Sequence, residues 1–371
     1  MSLTSPEKIG IMGGGINAAL LCLEAKKKGI QTTIVDEDMY CPASKVADEH
    51  LVAPLNKSTL FKLIQRTDAI VFTKKLENPE DYIPLLKEKT LAYPQVEILE
   101  TLSTRQKFLW KMEQKGIPIV NYKRLDSEVE MLELLKEIEL PISITKHYKS
   151  QTKNNQSDEI VLLSDEDIVD LLMEKDKQVD YWLIEEMHLE AMELSVGVTR
   201  DIKNKLYTYS VSEDIYDGDD WIQSHVPARI SKTLQNKAIA LAKRAVKSLE
   251  GVGTFTVNIS LNQDKEFYVR DIHPYALANS VYTNESCNIS QTDHLIRTIL
   301  GLPLYPAIFD GVLFTHLEKG TLLSDVEKTS ALLARQETNV YSFRGKVSED
   351  TMLLYTFKAE TWGRLEDNLK I

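Results

Sequence analysis

Apolar positions along this 371-residue chain follow two spacings, and the spacing changes partway along. At the start, short continuous apolar runs alternate with helical patterns. KIGIMG (8–13) reads as a strand, GGG follows at 13–15, INAALLCLEAKKKG reads as a helix closed by Gly29, and QTTIVDED is a second strand ending in acids. Strand, glycine turn, helix, strand is the opening of a doubly wound α/β unit. DAIVF at 68–72 reads as another strand, and 101–115 as a helix leading through GIPIVNY into a strand. EVEMLELLKEIE (128–139) is an amphipathic helix and PISIT (141–145) a strand.

From there the period shifts toward two. YWLIEEM, MELSVGVTR, KLYTYSVS, GTFTVNISL and EFYVRDI alternate as the strands of an antiparallel sheet, interrupted by the long helix TLQNKAIALAKRAVKSLEG. Before them IVLLS reads as a strand and DEDIVDLLMEK as a helix with acids in its first turn, which suits the helix dipole. HYKSQTKNNQSDE (147–159) has neither apolar periodicity nor glycine and is expected to be a mobile polar loop. After 310, GVLFTHL, NVYSF and MLLYTFKA predict a small β-rich cap. The expected domains are 1–100, 101–300 and 301–371.

Composition narrows the function classes. With 43% hydrophobic and 27% charged residues the chain can build an ordinary core. Its net charge of −12 argues against a nucleic-acid partner, because neutralising phosphates requires basic surface. Three dispersed cysteines, Cys22, Cys41 and Cys287, offer neither a disulfide framework nor a paired metal motif. With no basic-then-apolar leader pattern, this predicts a cytoplasmic protein. No stretch approaches 18 apolar residues, so no membrane span is expected.

Few motifs carry chemistry by themselves. GGG after a strand could bring backbone N–H groups to a phosphate, but GxGxxG is not completed, and a tight turn without a ligand reads equally well. Glu185 ends one strand and Glu193 begins the next, where carboxylates can accept bonds from a ribose or an amine; exposed acids flanking strand ends are the plainer reading. His188, His225, His273, His294 and His316 lack metal-ligand spacing.

Taken together, several blocks resemble one family. KIGIMGGG, the 36–54 region (VDEDMYCPASKVADEHLVAP), LIEEMHLEAMELSV (183–196), HVPARISKT (225–233), GVGTFTVN (251–258) and CNISQTDHLIRTILGLPL (287–304) are collinear over about 8–345 with N5-carboxyaminoimidazole ribonucleotide synthetase, an ATP-grasp ligase family of purine biosynthesis. The resemblance implies an α/β class fold: an N-terminal doubly wound domain, a central two-sheet ATP-grasp domain and a small C-terminal β-rich domain. It implies ATP as cofactor, a nucleotide as partner and a homodimer, since the family is commonly dimeric. The family reaction uses ATP to form carboxyphosphate and joins it to the amine of aminoimidazole ribonucleotide.

Residue by residue, the resemblance assigns Arg105 to the ATP phosphates, Glu185 to the adenine side and Glu193 to the ribose side, with the backbone of Glu186 to His188 along the adenine edge. Thr145 and Lys146 compete for the family's phosphate-binding lysine. Other positions depart. The glycine-rich phosphate loop becomes HYKSQTKNNQSDE. The two magnesium-holding glutamates become Asn258 and Asp271, and Arg270 stands where the metal-site Asn should be. Tyr275 and Leu277 replace the family's Arg and His, and Ile16 the Gln after the glycines. SEDTMLLYTF replaces the Arg-Lys-Met-Gly-His run that grips the ribonucleotide phosphate. The expectation is therefore a synthetase-like protein whose nucleotide side is retained in part and whose metal and substrate groups are largely gone, leaving only Asp271 for magnesium. Two alternatives stand beside it: a non-catalytic nucleotide- or protein-binding homologue, and an ATP-grasp ligase with a changed substrate.

Overall fold

A computed structural model describes residues 6–76, 79–89, 91–135, 138–148, 157–164, 166–167, 179–188, 191–218, 220–320, 322–335, 337–344 and 351–369. Residues 149–156, the centre of the expected mobile loop, and most of the helix expected at 165–175 fall outside these.

The N-terminal unit is a parallel sheet of β1 (Lys8–Met12), β2 (Gln31–Asp36), β3 (Glu49–Val52), β4 (Ala69–Phe72) and β5 (Leu91–Tyr93), in the order β3-β2-β1-β4-β5. Its β1 and β4 are almost wholly apolar because helices cover both faces of a parallel sheet, so alternation disappears. β3 and β5 escape the sequence reading: each has four or fewer residues, and β3 carries two polar positions.

A four-stranded sheet follows, built from β6 (Tyr122–Leu125), β7 (Ile142–Tyr148), β8 (Ser157–Leu162) and β9 (Val179–Glu186), in the order β6-β9-β7-β8. Ile142, Ile144 and Ile184 on one of its faces pack with Met131 of the helix Glu128–Leu134.

The largest sheet contains β10 (Met192–Arg200), β11 (Leu206–Thr208), β12 (Ser212–Asp217), β13 (Asp220–Val226), β14 (Gly253–Leu261), β15 (Phe267–His273), β16 (Val312–Gly320), β17 (Thr338–Arg344) and β18 (Thr351–Ala359). Its order is β15-β14-β10-β12-β13-β16-β18-β17, with β11 beside β10. The C-terminal strands therefore continue this sheet through the β13–β16 pairing. The helix Lys232–Ser248, started by the Ser231 side chain accepting the Leu234 N–H, buries Ala238, Leu241, Ala242 and Ala245 against the apolar face of β10 and β14. This core includes Leu183 of the four-stranded sheet, so the two sheets meet along a shared seam. Among the described residues no helix is long and apolar enough to cross a membrane.

Candidate nucleotide and substrate cleft

The glycine turn comes first, since it could have held a phosphate. Gly13 has φ +113°, and a Cβ there would lie 2.7 Å from the Thr73 hydroxyl. A Cβ on Gly14 would lie 2.3 Å from Cys41 Sγ. The Gly13 N–H donates to the Val35 carbonyl at 2.9 Å, and the Gly14 N–H to the Asp36 carboxylate at 2.8 Å. Both amides are committed within the protein, so the glycines at 13 and 14 serve close packing of strand, turn and loop.

The nucleotide-side residues meet across the seam. Arg105 opens the helix Arg105–Gln114, which is capped by Thr104. Its Nε donates to both Glu185 oxygens at 2.9 and 3.0 Å, one terminal nitrogen reaches Glu185 Oε2 at 2.5 Å, and the other donates to the Arg270 carbonyl. Arg270 in turn reaches Glu193 Oε1 at 3.4 Å. Arg105, Glu185, Arg270 and Glu193 thus form one chain of contacts from the four-stranded sheet to β10 and β15. Both carboxylates that the family resemblance assigned to the nucleotide are here held by guanidinium groups. Burial raises the Glu193 carboxyl above its ordinary value, against the pull of Arg270.

Glu186 and His188 line the rim. Glu186 accepts from Asn121 Nδ2 at 2.7 Å, and His188 Nε2 lies 3.4 Å from its other oxygen, with the imidazole against the Tyr268 ring. The N–H groups of Glu186 and Met187 are used internally, by the Asn121 and Pro141 carbonyls. Register separates Thr145 from Lys146. Ser143 pairs with Glu185 and Thr145 with Leu183, so Thr145 shares the cleft face with Glu185. Lys146 alternates with Ile142 and Ile144 and is buried at 3% exposure on the opposite face.

On β15 the pairing slips. Asn258 faces Asp271 and Ile259 faces Val269, leaving Arg270 as the extra residue of a β-bulge. A bulge re-aims side chains, and this one sets Arg270 and Asp271 side by side on the cleft. Asn258 Nδ2 lies 3.2 Å from His273 Nε2, which is 3.7 Å from Asp271 Oδ2. The protein packed around Asp271 pushes its carboxyl up, but His273, Arg105 and Lys75, together with the Ile272 N–H, outweigh this and hold it below the ordinary carboxylate range. Sequence reasoning named His273 but set it aside for lack of metal-ligand spacing, and did not foresee the bulge; the juxtaposition RDIH after an alternating strand was the available signal.

These donors do not suit magnesium, a hard dication that requires several anionic oxygens in near-octahedral array. Asn258 is neutral, its buried Oδ1 lacks a hydrogen-bond partner, and Asp271 is the one carboxylate at this point of the sheet. Among the described residues no group of three or more acids, histidines or cysteines could hold a metal ion.

Ile16, Leu20, Val281 and Leu354 form one buried apolar cluster, with Trp221 and Ala278 packed against it. It joins the residue after the glycine turn, the segment following Tyr275 and the strand that replaces the family's C-terminal phosphate grip. Beneath it Asp214 accepts from the Ser212 hydroxyl, from Ser224 Oγ at 2.5 Å and from Asn279 Nδ2 at 2.8 Å; Asn279 also donates to Ser195 Oγ at 3.0 Å. Burial raises the Asp214 carboxyl above its ordinary value despite these donors. The network ties the 278–281 turn to the sheet. No periodicity announces it, because its members come from four separate segments.

Comparison with known proteins agrees with this architecture. Residues 6–102 match the ribonucleotide synthetase preATP-grasp domain, and residues 110–292 the ATP-grasp domain. The N5-carboxyaminoimidazole ribonucleotide synthase of Bacillus subtilis is 28% identical over 301 residues, covering 80% of this chain and 77% of that protein. In fold, the chain is similar to an N5-carboxyaminoimidazole ribonucleotide synthetase solved as its ADP complex (TM-score 0.82, 23% identity, 99% of this chain and 97% of that one). It is also similar to the Aspergillus clavatus N5-carboxyaminoimidazole synthase in complex with ADP and 5-aminoimidazole ribonucleotide (TM-score 0.81, 21% identity, 97% and 96%).

Proposed function

Because the chain belongs to the N5-carboxyaminoimidazole ribonucleotide synthetase family of the ATP-grasp superfamily, we propose that it is an adenine-nucleotide-binding protein on that purine-biosynthetic scaffold, with its carboxylate–amine ligase activity weak or lost. The observation that carries this reading is the buried apolar cluster that joins Ile16, where the resemblance calls for a Gln, to Leu354, in the strand where it calls for the run that grips the ribonucleotide phosphate. A ribonucleotide phosphate needs donors and positive charge; buried aliphatic side chains supply neither and leave it desolvated.

The chemistry at Asn258 and Asp271 points the same way. Forming an acyl phosphate from ATP moves negative charge onto the transferring phosphoryl group and its leaving oxygen, and catalysis of that step rests on positioned cations. Removing one such group commonly lowers the rate by about 10²–10³, and here the changes are several and act as a unit. The nucleotide side is supported by the chain Arg105–Glu185–Arg270–Glu193, which keeps carboxylates and guanidinium groups facing one cleft between the sheets.

The test is a coupled ADP-release assay with ATP, bicarbonate and aminoimidazole ribonucleotide, run beside the B. subtilis enzyme. The expected outcome is no substrate-dependent ADP at protein levels where the comparison enzyme turns over readily. Substrate-dependent ADP formation at a comparable rate would overturn the loss of activity.

A further inference from the structure

The misfit between the β14–β15 site and a divalent cation has a constructive side. We propose that this cleft receives the polyphosphate end of an adenine nucleotide without a metal ion, with Arg270 as the principal phosphate-binding group. This rests on the nucleotide-binding reading above and specifies how that site neutralises its ligand.

The two arginines of the cleft differ in commitment. Arg105 is locked, with its guanidinium spread over both oxygens of Glu185 and over the Arg270 carbonyl. It is a positioning residue, because its bond to that carbonyl fixes the bulge from which Arg270 projects. Arg270 makes one long contact, 3.4 Å to Glu193, and keeps 41% of its side-chain surface exposed. A guanidinium presents several donors in a planar fork that matches two phosphate oxygens, so exchanging one long bond to Glu193 for a bidentate phosphate contact is favourable.

A magnesium ion at Asp271 would meet the like charge of Arg270 beside it, and the cleft's other carboxylates, Glu185 and Glu193, are already engaged by Arg105 and Arg270. A metal-free polyphosphate instead meets an exposed guanidinium directly.

Calorimetric titration of ATP and of AMP, in EDTA and again in excess MgCl2, tests this on the intact chain. The affinities for ATP in the two buffers are expected to agree within about threefold, with ATP in EDTA binding at least about tenfold tighter than AMP, since the extra phosphates meet the cations. Arg270→Asn should remove most of that ATP-over-AMP preference. The wild-type comparison needs no variant, so a poorly folded Arg270→Asn protein does not blunt the test. ATP binding at least about tenfold tighter in MgCl2 than in EDTA would overturn the metal-free site, as would equal affinity for ATP and AMP. Failure of both nucleotides to bind in either buffer would overturn the nucleotide-binding reading itself, a result distinct from binding that requires metal.

Discussion

On the proposed reading, the two ends of the cleft have diverged in opposite ways. At the nucleotide end, charged side chains remain and pair with one another: Arg105 with Glu185, Arg270 with Glu193. At the far end, positions that the resemblance assigns to polar ligand contacts have become apolar and merged into the core around Leu354. The charged end can still exchange an internal partner for a ligand at Arg270–Glu193, whose side chains are 41% and 32% exposed. The apolar end cannot, because opening it would expose hydrocarbon with no compensating bond. Divergence of an enzyme cleft therefore need not be uniform: charge can persist at one end while the other is filled.

The sharpest way to break this comparison is Leu354→Ala. Leu354 is fully buried, so if that end is true core the variant should lose about 3 kcal/mol of stability in denaturant unfolding. A loss under about 0.5 kcal/mol would mean that the residue borders an open pocket.

A smaller effect is expected from Arg105→Ala, which leaves the Glu185 carboxylate, 8% exposed as a residue, without its guanidinium. Breaking such a pair costs about 3–5 kcal/mol when fully buried; with the Arg105 side chain 26% exposed, about 2 kcal/mol is expected. Nucleotide affinity, read by calorimetry, should fall with it. Unchanged stability and affinity together would remove Arg105 from the cleft's architecture.

The mildest change is a control on the same sheet. Glu213 neighbours Asp214 but projects to the opposite face, where Arg229 binds it through Nε at 2.9 Å, a terminal nitrogen at 2.6 Å and the backbone N–H at 3.1 Å. Burial raises this carboxyl, but the Arg229 bonds and charge outweigh it and leave it below the ordinary value. A depressed carboxylate adds stability that is fully present above its unfolded-state value and is lost as pH falls through its folded value. Glu213→Gln should therefore cost about 1 kcal/mol at neutral pH, with the difference closing in acid below the ordinary carboxylate range. Nucleotide affinity should not change. A difference that persists or widens in acid would mean that the carboxylate's charge is not what stabilises the wild type.

Much of this was legible in the chain, for reasons that differ by region. The opening α/β unit declared itself because a strand covered on both faces is a continuous apolar run, and because Gly13 and Gly14 mark a turn where a Cβ would collide. The alternating strands from 179 onward were legible because apolar and polar side chains take opposite faces, as Val196 and Val198 do against Ser195 and Thr199, even where both faces of β10 and β14 are buried. The helix Gln291–Ile299, β12 and β13 were not: polar residues such as Asp214, Ser224, Gln291 and His294 are buried in them through specific partners, which hides the periodicity. Glu185 and Glu193 could be named in advance, but their partners could not.

By itself the sequence determined the opening α/β unit, the main antiparallel strands and the family, and through the resemblance it marked Asn258, Asp271, Tyr275 and Leu277 as departures, because these follow from residue type, local period and collinear spacing. Only the tertiary structure decided what the changes amount to. The bulge that re-aims Arg270 depends on strand register. The face that Thr145 shares with Glu185, and Lys146 does not, depends on the β7–β9 pairing. The union of Ile16, Val281 and Leu354 brings together residues more than three hundred positions apart in the chain. Register and long-range packing are set by the joint minimum of many distant contacts, and no local stretch of sequence encodes which distant residue will fill a given space.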